Sequence, residues 1–77
     1  MKKGEFYANI ERILELDPGT VKGDEELSSF GDWNSLSMLS FIAFADGMLG
    51  LSLSADQLQK ARKVSDLLEA VGSKIDD

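Results

Sequence analysis

The sequence predicts an all-α domain, a four-helix bundle with a long first loop and a short third helix. Apolar residues recur at helical spacing in four segments, and no segment alternates with the period of a strand. The apolar share of 43% over 77 residues suffices for one packed core and one domain, residues 1–77. There is no cysteine and no histidine, so neither a disulfide nor an ordinary zinc site can staple so small a domain. The helix faces alone must supply the core.

The first helix is expected over residues 5–16. Phe6, Ile10, Ile13 and Leu14 share one face, and Glu11, Arg12 and Glu15 fall elsewhere. Asp17-Pro18-Gly19 ends it, because proline cannot continue the hydrogen-bond ladder and glycine favours a turn. A long connection over residues 17–34 follows, punctuated by Gly19, Gly23 and Gly31, with Leu27 and Phe30 as its inward anchors. Its Asp24-Glu25-Glu26 run reads as solvated loop, since the region lacks the alternating ligands of a calcium loop. The second helix is expected over residues 35–48. Met38, Phe41, Ile42 and Ala45 are assigned to the core, which leaves Leu36, Leu39 and Phe44 without a buried role. Gly50 is a natural cap after it. Ser54 and Gln57 have the spacing of a capping box and open the short third helix, which buries Leu58 and Ala61. Ser65 is the expected cap of the fourth, whose stripe is Val64, Leu67, Leu68, Val71 and Ile75. The bundle should pack through Ile10, Leu14, Phe41, Ile42, Leu58, Leu68 and Val71, with residues 76–77 frayed.

Fourteen acidic residues against eight basic ones give a net charge of −6. Such a chain repels nucleic acid and anionic membranes and attracts basic protein surfaces. No stretch has the apolar length of a membrane span, and the N-terminus has no apolar signal core, so membrane insertion is not expected and the cytoplasm is. Without histidine or cysteine the chain lacks the usual general base and thiol nucleophile. It is therefore expected not to be an enzyme; any covalent chemistry belongs to an attached group.

The informative stretch is Gly31-Asp32-Trp33-Asn34-Ser35-Leu36, where a long loop meets an apolar helix. A serine there sits beside unpaired backbone N–H groups and the positive end of the helix dipole, a setting that can hold a phosphodiester. Asn and Ser are also preferred caps, and on this hexapeptide alone capping is the commoner use. Trp33 has two readings as well: it pins the loop to the bundle, the commoner use of a loop aromatic, or it lines the path of an attached arm and meets partner enzymes.

The wider pattern resembles the acyl carrier protein family, in its stand-alone form. That family has a serine in an Asp-Ser-Leu motif at the start of its second helix; the matching residues here are Asn34-Ser35-Leu36. Downstream, SMLSFIAFADGMLGLSLSADQLQKARKVSDLLEAV follows the family's order: an apolar second helix, a small acidic-to-glycine segment, a turn with Leu51 and Leu53, a short third helix, and Lys63-Val64-Ser65-Asp66 opening the fourth. With the first helix and the glycine-bearing loop, the resemblance spans nearly the whole chain. It implies a four-helix bundle of acyl-carrier type. It further implies that a phosphopantetheinyl transferase moves 4'-phosphopantetheine from coenzyme A onto Ser35, whose neighbours Asn34 and Leu36 complete the attachment motif. The arm's thiol would then carry acyl groups as thioesters to the enzymes that load and transfer them in fatty acid or polyketide biosynthesis. Met1 at the start and an end just past the fourth helix match a free carrier, and a monomer is expected.

Three departures from the family stand out. Asn34 replaces the usual Asp and lacks the charge that can pair with a basic transferase residue. Gly31 lies four residues before Ser35 rather than the commoner three. Ser37 and Ser40 stand where many members carry acids on the second helix, which leaves Leu36, Leu39, Trp33 and Phe44 as the expected docking residues. Two other functions compete. One is an aminoacyl or peptidyl carrier using the same arm and serine. The other is a cofactor-free helical interaction module, in which Ser35 is only a cap.

Overall fold

The computed structural model describes residues 1–76, which hold four α-helices and no β-strand: α1 (Lys3–Ile13), α2 (Ser35–Phe44), α3 (Ala55–Lys60) and α4 (Val64–Ala70). No helix among these residues is long and apolar enough to cross a membrane. The helices converge on one core that takes Phe6 and Ile10 from α1 and Leu14 just after it, Phe41 and Phe44 from α2, Leu58 from α3, and Val64 and Leu67 from α4 with Val71 just after it, together with Val21, Leu27 and Leu49 from the connections. Its centre is aromatic: Phe6 meets Phe41 edge-on at 6.0 Å between ring centroids, and Phe44 lies 5.7 Å from Phe41.

Helix α1 stops three residues short of the expected end. The stop is a Schellman turn, not the proline. Glu15 takes a left-handed conformation at φ 57°, the Leu16 N–H donates to the Glu11 carbonyl at 2.8 Å, and the Glu15 N–H donates to that of Arg12 at 3.3 Å. Pro18 and Gly19 lie in the turn beyond it. Glu11, expected away from the apolar face, is buried at 6% exposure. Its carboxylate Oε2 accepts the Val21 N–H at 2.8 Å and so ties the long loop to α1.

That loop is built, not merely solvated. Glu25 folds its carboxylate over its own loop and accepts the N–H groups of Lys22 (2.8 Å) and Gly23 (2.9 Å). Partial desolvation works against the charged form, but these bonds outweigh it and hold the carboxyl below its ordinary value. Gly23 sits at φ 119° under the Tyr7 hydroxyl, where an added Cβ would approach to 2.6 Å. Leu27 is buried as expected and starts a 3-10 turn, Leu27–Ser29, with Phe30 half-buried behind it. The Leu27 N–H donates to the Arg62 carbonyl at 2.8 Å and the Val64 N–H to that of Glu25 at 3.0 Å, which fastens the loop to the α3–α4 junction.

Helix α2 is shorter than expected because its last stretch widens into a π-helical turn, Ala45–Leu49, closed by left-handed Gly50. The buried face is Ser37, Phe41, Phe44, Ala45 and Leu49; Met38 and Ile42 are only half-buried. Helix α3 has the expected capping box: the Gln57 N–H donates to Ser54 Oγ (3.2 Å) and the Ser54 N–H to Gln57 Oε1 (2.8 Å). Helix α4 starts two residues earlier than a cap at Ser65 implies, with Lys63 in the cap position. Asp66, the third residue of the helix, closes its start by accepting the N–H groups of Arg62 (2.9 Å) and Lys63 (3.0 Å), which hold its carboxyl below the usual range. Leu68, expected in the core, is half-buried, and the fully buried position is Leu67. Asp76 does not fray: its N–H donates to the Met1 carbonyl at 2.7 Å, and its own carbonyl accepts the Lys3 N–H. Asp77 lies outside the described residues.

Candidate functional site

The candidate site is the head of α2. Asn34 is its cap, in extended conformation. Its Oδ1 accepts the N–H groups of Leu36 at 2.9 Å and Ser37 at 3.2 Å. Ser37 answers: its Oγ accepts the Asn34 N–H at 2.9 Å and donates to the Asn34 carbonyl at 3.0 Å. Together they form a closed capping box. Ser37 is accordingly buried at 6% exposure, a correction to its expected place on the outer surface. Ser40 is exposed and donates to the Leu36 carbonyl.

Ser35 is the first residue of the helix and is exposed. Its hydroxyl takes no part in the capping box. The cap assignment that competes for this serine thus belongs to Asn34 and Ser37 instead. The expected cradle of free N–H groups is reduced by the same arrangement. The N–H groups of Leu36 and Ser37 are taken by Asn34 Oδ1, and that of Met38 by the Asn34 carbonyl at 2.9 Å. The Ser35 N–H and the helix dipole remain for a negative group on the hydroxyl.

Two open hollows flank the site. One, of about 410 Å³, lies towards the end of α1 and is lined by Arg12, Glu15, Asp32, Asn34 and Leu36 among others. The second, of about 400 Å³, lies towards the α3–α4 junction and is lined by Trp33, Leu27, Met38, Ala61 and Arg62 among others. Trp33 is half-buried and packs against the core, in keeping with its pinning role, while its remaining surface lines this hollow.

Of the expected docking residues, Leu36 and Leu39 are open to solvent, at 74% and 60% exposure. Phe44 is not: at 7% exposure it belongs to the aromatic centre of the core. The periodicity of α2 held the signal, since positions 37, 41 and 44 are one face of a helix. Asn34→Ala should remove the acceptor of two N–H groups and lower stability by about 1 kcal/mol. Asn34→Asp, which keeps the oxygen, should stay near the wild type; paired thermal melts by circular dichroism check both. No family model matches the chain, and neither a curated protein nor a solved structure matches it.

Proposed function

We propose that the protein is an acyl carrier that holds 4'-phosphopantetheine on Ser35 and presents thioester-bound acyl groups to partner enzymes. One observation supports this most. Ser35 offers an exposed hydroxyl at the head of α2 while Asn34 and Ser37 do the capping on either side of it. Simple helix capping therefore does not account for this serine.

The arm fits the residues present. An exposed hydroxyl can reach a transferase-bound coenzyme A, and a phosphodiester there would lie at the positive end of α2 beside the free Ser35 N–H. In the transfer, Ser35 Oγ attacks the pyrophosphate phosphorus next to the pantetheine. The phosphoanhydride bond breaks, adenosine 3',5'-bisphosphate leaves, and the hydroxyl proton passes to a base of the transferase. The thiol that the chain lacks arrives with the arm. Whether the cargo is acyl or aminoacyl rests with the loading enzyme. This reading assigns the protein to the cytoplasm, as a monomeric, non-catalytic carrier.

Incubation with coenzyme A and a broad-specificity phosphopantetheinyl transferase, read by intact mass, should add one arm per chain. Ser35→Ala should add none. A wild type that is never modified would overturn the carrier reading, and modification that persists in the variant would overturn the site.

A further inference from the structure

The Ser37 hydroxyl makes two bonds to one residue, at the two ends of that residue's backbone. It accepts the Asn34 N–H at 2.9 Å and donates to the Asn34 carbonyl at 3.0 Å. A capping box needs only the first of these. The two together hold the rotation about both soft backbone bonds of Asn34, which lies extended at φ −147° and ψ −173°. The hydroxyl that does this sits on a side chain buried at 6% exposure, where water competes little for its bonds.

The second bond reaches Ser35 through the peptide plane. The Asn34 carbonyl and the Ser35 N–H belong to one trans peptide, so they point in opposite directions. The Ser37 hydroxyl and the Met38 N–H, at 2.9 Å, draw that carbonyl into the first turn of α2. The Ser35 N–H is thereby held outward. Neither it nor the Ser35 hydroxyl has a hydrogen-bond partner among the described residues. Asn34 Oδ1 takes the next two N–H groups, so the Ser35 N–H is the backbone donor left at this helix head. Its direction is set by a side chain two residues further on.

We propose that Ser37 is a positioning residue for attachment of the arm: acting through Asn34, its hydroxyl holds the Ser35 N–H and Cβ where the phosphodiester forms. The inference rests on the carrier reading and names the residue that sets the rate of modification. As Ser35 Oγ bonds to phosphorus and the phosphoanhydride bond breaks, negative charge stays on the phosphoryl oxygens. A donor already aimed at them needs no reorganisation during the step. Without the Ser37 hydroxyl, the Asn34 N–H has no acceptor and the Asn34 carbonyl keeps only the Met38 N–H. The peptide before Ser35 can then rock, and small misplacements of a reacting group are costly.

The test compares Ser37→Ala, Ser37→Thr and Gln57→Ala with the wild type as substrates of a broad-specificity phosphopantetheinyl transferase and coenzyme A, well below every melting temperature. Gln57 is the matching partner in the capping box of α3 and lines neither hollow beside the site. The expected result is a kcat lowered at least about tenfold in Ser37→Ala with KM for the carrier little changed. Ser37→Thr, which keeps the hydroxyl, should recover most of that loss, and Gln57→Ala should keep the wild-type kcat although its melt falls. Amide exchange, which needs no transferase, should speed up at Asn34 in Ser37→Ala and stay slow at Phe44. An alanine variant modified at the wild-type rate, a folded threonine variant as slow as alanine, an equal loss in Gln57→Ala, or unchanged exchange at Asn34 would overturn the positioning role and leave the carrier intact. No modification of the wild type would overturn the carrier reading itself.

Discussion

Leu67→Asp should leave the chain largely unfolded at room temperature. Leu67 is fully buried on the inner face of α4, within the same cluster as Phe6, Phe41 and Leu58. A carboxylate there either loses its hydration or protonates, and both routes cost several kcal/mol beyond the lost apolar packing. A domain of this size is stable by about 5 kcal/mol, so one such change removes most of it. Leu68→Asp is the control. Leu68 is only half-buried, so its carboxylate can turn towards water and the loss should be clearly smaller. Far-ultraviolet circular dichroism with a urea melt compares the two. Equal melts would mean that the inner face of α4 is not the one described.

Glu11→Ala should have the next largest effect, about 1–3 kcal/mol, because it strands the buried Val21 N–H without an acceptor. Glu11→Gln keeps an oxygen within reach and should recover most of that loss, less the part due to charge. The local readout is amide exchange at Val21, which should speed up far more in the alanine variant than in the glutamine variant. If both variants melt and exchange alike, the bond from Val21 does not hold the loop.

Sequence showed what was periodic or short-range in this chain. Ser54 and Gln57 mark α3 because both partners of the capping box lie within one turn. Gly50 reads as a stop because few other residues take its left-handed conformation comfortably. Glu11 was misread because its partner is a backbone N–H ten residues away, which has no side-chain signature. The widening at Ala45–Leu49 escaped for a related reason: a π-helical turn keeps the apolar order of the chain and changes only its phase. Asp66 could have been found, since an acid three residues after the last loop position is a common way to close a helix start. At the site, the sequence leaves open whether Asn34 or Ser35 caps α2. Composition could not decide that; the hydrogen bonds of Asn34 and Ser37 do.

The fastening of the long loop to the α3–α4 junction also bears on how the chain reaches this fold. Helices form from neighbours in well under a millisecond, and a short helical chain is expected to fold fast. The bonds from Leu27 to Arg62 and from Val64 to Glu25 join segments far apart in sequence, and Lys3 meets Asp76 across nearly its whole length. Each of these closures must be reached by an open chain before it yields any contact. The search for these few non-local pairings, more than helix formation, is expected to set the time this small helical protein needs to fold.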